Sequence, residues 1–241
     1  MTPKDARGVG SVDSGAPQGG LQGQRPGGAD HRIRLVAAVG TTWDAGRVTA
    51  SSLYLTGDPN ADALLARDGN ALLIGMVLDQ QVPMEKAFCG PAVIAERMGS
   101  SLDVSAIADA DPEQFAALCA SPPAVHRFPG SMAGRVQAVC RVLMSDYRGD
   151  AENLWASATT GAELRKRIAA LPGFGDQKAS IFVALLGKQY GVRPEGWREA
   201  AGKYGEDGSR ISVADVTGPE SLTAVRAAKK AAKAAARAAQ Q

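Results

Sequence analysis

The residues best suited to chemistry lie in Leu171-Pro172-Gly173-Phe174-Gly175-Asp176-Gln177-Lys178-Ala179. Pro172 stops a helix, and Gly173 and Gly175 can take positive φ or let another backbone come close. A tight glycine turn feeding a helix N-terminus aims several backbone N–H groups into one concavity, which suits a phosphate. Such a contact holds a nucleic-acid backbone without reading its sequence. The surrounding charge agrees: residues 161–203 carry eight Lys and Arg against four acids, a net of +4. The same turn also fits an ordinary αα-hairpin whose glycines serve packing alone.

Two helices must position this turn. Upstream, Thr160 to Glu163 has the pattern of a capping box, and Leu164, Ile168 and Leu171 line one face. Downstream, Ala179, Phe182, Val183 and Leu186 form an apolar stripe, with Asp176 the expected N-cap. The hairpin unit spans residues 160–187.

Earlier in the chain, Asp58-Pro59 opens a helix, and Ala71 to Leu78 is a helix apolar nearly all round, hence central. It ends on a polar pair, Gln80-Gln81, unusual after a buried helix and suited either to contacts outside the core or to capping the helix end on backbone, and Pro83 opens the next helix through Met98. Ser105 to Ala120 holds one or two short helices, with a fresh start at Asp111-Pro112. The basic-aromatic cluster His126-Arg127-Phe128 precedes a turn at Gly130, and Arg135 to Tyr147 reads as an amphipathic helix. A last helix opens at Pro219 and ends in an Ala/Lys/Arg-rich tail with a cationic stripe of Lys229, Lys230, Lys233 and Arg237. That tail suits either salt-sensitive DNA affinity or a frayed, solvated end. Strand signals are nearly absent, so the fold class is all-α.

Composition sets the outer limits. The chain has 241 residues, 45% apolar, with a net charge of only +2. The charge is uneven: residues 53–125 hold ten acids and three bases, a net of −7. Such asymmetry suits a protein with one DNA-facing side, or charge scattered over solvated helices. Cys89, Cys119 and Cys140 contain no C-x-x-C and have neither zinc nor iron–sulfur spacing. The odd count and the lack of a recognisable signal peptide suggest a reduced cytoplasm. No apolar run reaches the ~18 residues of a membrane span. Residues 1–30, rich in Gly, Pro, Ser and Gln, are expected to be disordered. The apolar run Ile33 to Val39, followed by Trp43, reads either as a strand-like arm or as translated sequence upstream of the true start.

Three segments together resemble a known family. Leu-Pro-Gly-Phe-Gly at 171–175, with Ala179, is similar to the hairpin of the helix-hairpin-helix-GPD (HhH-GPD) superfamily of DNA glycosylases. Leu72 to Val82 resembles the family's early helix and its "QQ" turn, and Phe128 to Val139 its Gly-to-Arg/Lys helix start. The three fall in the family's order over roughly residues 53–200. The resemblance implies a helical domain over 53–220, with 1–50 a non-core extension and 221–241 a basic tail. It implies a base-excision repair protein that binds damaged double-stranded DNA, a nucleoid-associated monomer needing no membrane.

Site residues follow from the same resemblance. Gln81, seconded by Gln80, matches the residue that fills the gap left by an extruded base. Leu171, Gly173, Phe174, Gly175, Gln177, Lys178, Arg135 and Arg127 would face DNA. The family places a catalytic Asp beyond the hairpin; here Glu195 is the carboxylate in register and Asp215 the runner-up. Bifunctional members carry a nucleophilic Lys where this chain has Gln177. Lys178 lies one residue on, a rotation of about 100° that should turn it toward phosphate instead. The resemblance therefore implies a monofunctional N-glycosylase without strand cleavage, without an iron–sulfur cluster and with room for a monovalent cation at the hairpin. The alternative is a DNA-binding lesion or structure sensor that has lost catalysis.

Overall fold

The computed structural model describes residue 50, residues 52–99 and residues 101–238, apart from the side chains at 233, 236 and 237. The expectations for residues 1–30, the run at 33–39 and Trp43 fall outside these residues, as do the side chains of Lys233 and Arg237.

The described residues form eleven α-helices and no strand. They are α1 (Pro59–Arg67), α2 (Gly69–Leu78), α3 (Met84–Arg97), α4 (Val104–Asp109), α5 (Pro112–Ala120), α6 (Pro129–Tyr147), α7 (Glu152–Ala156), α8 (Gly161–Ala169), α9 (Asp176–Gln189), α10 (Trp197–Ala201) and α11 (Pro219–Ala238). Short 3-10 turns at Gly202–Tyr204 and Val213–Asp215 join the last two.

Helix starts follow local chemistry. Asp58, Asp68, Asp103 and Asp111 each accept backbone N–H groups from the first turn they precede. Proline sits at the first turn of α1, α5 and α6, where its missing N–H is not needed. The helix expected from Arg135 therefore begins earlier: Pro129 nucleates α6, and the turn expected at Gly130 is its first turn.

α2 is the central rod, and every residue of it except Asn70 is buried. It meets α3 at close range. A Cβ on Gly75 would lie 2.6 Å from the Phe88 ring, and one on Gly90 would lie 2.3 Å from Leu78. α9 is the second buried rod, carrying Ala179, Phe182, Val183, Leu185 and Leu186. Trp155 from α7 and Phe174 from the hairpin meet Phe182 edge-on, each with ring centroids 6.1 Å apart. Tyr190, at the end of α9, donates its hydroxyl to the Leu65 carbonyl and so ties α9 to α1. The C-terminal end of α2 is reached from the start of α9 by the Lys178 side chain.

Candidate nucleic-acid interface

The hairpin is built from α8, the turn at 170–175 and α9. Thr160 Oγ1 accepts the Glu163 N–H at 3.2 Å. The reciprocal arm goes one residue back from the expected box: Glu163 accepts the Thr159 N–H at 3.1 Å. Gly173 has φ 80°, the left-handed region that favours glycine. Gly175 does not; at φ −128° it is extended and forms the N-cap of α9. Asp176, expected as that cap, is instead the first helical residue and pairs with Arg165 at 2.9 Å.

This placement leaves α9 without a side-chain cap. Its leading N–H groups have no intrahelical partner. Among the described residues, the Gly173 and Gly175 N–H groups also have none. Nothing lies within 4 Å of where a Gly175 Cβ would stand. The result is an exposed cluster of backbone donors at the positive end of a 14-residue helix.

The three separate sequence segments meet here. A Cβ on Gly173 would lie 3.5 Å from Arg135 Cδ and 3.8 Å from Gln80 Nε2. Arg135 donates to Gln80 Oε1, and Gln80 Nε2 donates to the Val77 carbonyl at 2.9 Å. His126 is buried and supports the same turn from behind. Its Nδ1 accepts the Phe128 N–H at 3.0 Å, so Nε2 carries the proton and donates to the Gln80 carbonyl at 2.7 Å. Both ring nitrogens are thereby used in holding the scaffold. Gln81, next in the chain, is exposed and sits at φ 55°, strained for a residue with a Cβ. Among the described residues its side chain has no hydrogen-bond partner. Arg127 stacks on the exposed Phe128 ring, 4.6 Å from its centroid.

A family model described as "HhH-GPD superfamily base excision DNA repair protein" matches residues 74–240. The chain belongs to the HhH-GPD superfamily. Comparison with curated proteins and with solved structures returns no match. HhH-GPD proteins bind DNA, and the matched span includes the hairpin, the Gln80-Gln81 turn and Arg135. Among the described residues no helix is long and apolar enough to cross a membrane.

Other expected site residues of this HhH-GPD chain have structural partners. Leu171 is buried and Phe174 half-buried, so their side chains pack the turn rather than face out. Gln177 is exposed and donates to the Tyr204 hydroxyl at 2.9 Å. Lys178, expected to point at phosphate, turns inward to the C-terminus of α2. Its ammonium donates to the Met76 carbonyl at 2.9 Å and the Val77 carbonyl at 3.2 Å, and lies 5.5 Å from the Phe174 ring centroid. Burial pulls its pKa down to about 8, with Arg135 adding to the fall and Asp79 opposing it.

The two carboxylates named from the sequence stand away from this turn. Glu195 is exposed, and its carbonyl accepts the Gly161 N–H at 2.7 Å, fixing it at the N-terminus of α8. The nine residues of α8 separate it from the hairpin turn by about 13 Å along the helix. Asp215 is buried in a structural role. It pairs with Lys188 at 2.6 Å and accepts the Ile211 and Ser212 N–H groups, both at 3.0 Å.

The carboxylate that does lie at the junction is Asp79, which the motif contained but the residue pattern did not mark. It closes α2 directly before Gln80. Burial raises its pKa, while Lys229 and Lys178 oppose the rise and Glu85 adds to it. Phe128 was marked as part of a basic-aromatic cluster, but its exposure was not legible. An aromatic before a proline gives no sign of facing solvent.

Proposed function

We propose that this protein is a monofunctional DNA N-glycosylase. It binds a duplex at a damaged base, swings that nucleotide out of the stack and hydrolyses its N-glycosyl bond without cutting the strand. The observation that carries this reading is the junction of Gly173, Gln80 and Arg135 beside a Gln81 held at positive φ. The free amides around Gly175 suit a phosphate, and Arg135 adds a cation next to them. Extruding a base costs a few kcal/mol. An exposed, unpartnered glutamine beside the phosphate anchor offsets that cost by filling the gap and bonding to the orphaned base. Positive φ recurs at Arg148, where it closes α6, whereas at Gln81 it falls beside the free amides and presents an unpartnered side chain.

Cleavage of the bond builds positive charge on the sugar, which a nearby carboxylate stabilises. Asp79 is the better candidate: it adjoins the wedge, and Lys229 and Lys178 act against the rise in pKa that its burial causes. Glu195 is exposed at the other end of α8. Absence of strand cleavage is supported by Gln177 engaging Tyr204 and by the Lys178 ammonium engaging two carbonyls. A second reading, a lesion sensor without chemistry, draws on the remoteness of Glu195.

The test incubates the full chain with duplexes that each hold one damaged base, followed by alkali. Base release from at least one lesion is expected, with no strand break before alkali and no covalent complex trapped by borohydride. Asp79→Asn should abolish release while Glu195→Gln retains it. Release unchanged in Asp79→Asn, or lost in Glu195→Gln, would move the chemistry off Asp79. No release from any lesion by the wild type, with binding intact, would establish the sensor instead.

A further inference from the structure

The basic face of α11 is a charged surface that neither the hairpin nor the wedge accounts for. Its placement is set by its first half. Val225 is fully buried, Leu222 packs on the core, and Ser221 Oγ accepts the Thr217 and Gly218 N–H groups at 2.8 and 2.9 Å. One residue after Val225, the Arg226 guanidinium donates to the Glu85 carboxylate in the first turn of α3. Glu85 is four residues beyond Gln81, so the ion pair moors α11 beside the wedge turn. Lys229 is one helical turn further on, and its charge acts on Asp79, directly before Gln80. Lys229 and Lys230 are both exposed, and neither is ion-paired among the described residues.

From this mooring we infer that α11 is a second backbone-binding element, whose Lys229 and Lys230 contact phosphates of the duplex flanking the extruded nucleotide. The inference rests on the DNA-binding reading above. The partner chemistry is a regular array of phosphates: ammonium groups on flexible stems attract phosphate as point charges, without base specificity. An acidic protein surface is the competing occupant. Continuity favours DNA, because the same helix that carries the lysines is pinned next to the residue that enters the duplex. Mooring by Arg226 also fixes the direction in which the cations lie, which a frayed tail would not do.

Each lysine engaged with a phosphate adds close to one unit to the slope of log K against log salt. The experiment measures binding of the full chain to a duplex holding a stable abasic-site analogue, and to the undamaged duplex, between about 50 and 200 mM salt. Lys229→Gln/Lys230→Gln should weaken both duplexes alike and shallow the slope by about two units. Glu85→Gln, which frees Arg226, should shorten the hydroxyl-radical footprint on one flank while the protein stays folded. Gln81→Ala should weaken the abasic duplex only and leave the slope unchanged. An unaltered slope in the double lysine variant, with wild type binding and Gly173→Asp/Gly175→Asp not binding, overturns this inference and leaves the hairpin reading standing. If the wild type binds neither duplex, or the glycine variant binds as well as wild type, it is the DNA-binding reading that fails.

Discussion

Gln81 sets local conformational energy against position. A residue with a Cβ at φ 55° gives up about 1–2 kcal/mol relative to right-handed backbone. Gln81→Gly should therefore be no less stable than the wild type in urea denaturation, and up to about 1 kcal/mol more stable. It should nevertheless fail to hold a base open, read as loss of the fluorescence rise of a 2-aminopurine placed at the lesion. A clear loss of stability in Gln81→Gly would sink the strain argument. Asp215 is the opposite case, a saturated carboxylate in an ion pair with its side chain 2% exposed. Asp215→Asn leaves the half-buried Lys188 without its counter-charge and should cost about 2 kcal/mol. Any loss of base release should track unfolded protein and vanish below the melting transition. Gln81 was legible from its position after an apolar helix; its φ was not, because glutamine carries none of the sequence signature of a left-handed residue. Asp79 was overlooked for a related reason. A polar residue closing a helix looks ordinary until Lys178, far off in sequence, is seen to bond the Met76 and Val77 carbonyls just before it.

The hairpin was legible because proline and glycine punctuate a chain strongly, and the apolar faces of α8 and α9 have helical spacing. The division of labour between its glycines was not. Gly173 needs positive φ, whereas Gly175 is extended with open space around it. Gly173→Ala should cost about 1–2 kcal/mol of stability from the backbone alone, since its nearest neighbours are at ordinary contact distance. Gly175→Ala should leave stability level or raise it by about 0.4–1 kcal/mol, through the unfolded state. Thermal melts separate the two variants, and salt-dependent duplex binding should fall in both. Undiminished binding by the more stable Gly175→Ala would show that no phosphate approaches that amide. The earlier start of α6 was lost because Gly130 and Gly134 look like breakers, whereas Pro129 sets the first turn regardless. α7 escaped notice because its five residues are too short for a period to show.

At the scale of the whole molecule, several ionisable groups lie in the core, and they give stability a defined dependence on alkaline pH. Burial holds the Cys119 thiol up to about 11 and the Cys140 thiol up to about 12, against 9.0 for a free thiol. Burial likewise pushes up the Tyr190 phenol, which donates to the Leu65 carbonyl. Below pH 9 both folded and unfolded chains keep their thiols protonated, so nothing changes there. Above it the unfolded chain ionises first, and stability falls progressively as pH rises toward 12. Lys178 acts in the other direction. Its folded pKa of about 8 lies below the ordinary 10.5, so the folded state sheds its proton first and gains stability across that interval. Wild-type stability should thus hold or rise slightly from pH 8 to 9 and then decline. Lys178→Met removes the rising contribution and should make the decline begin earlier and run steeper. Cys140→Ala, whatever its starting stability, should flatten the curve above pH 9. The check is a series of urea titrations at fixed ionic strength, comparing slopes against pH rather than levels. A wild-type curve that falls steadily from pH 8, with Lys178→Met parallel to it, would mean that the ammonium is solvated and does not hold the end of α2.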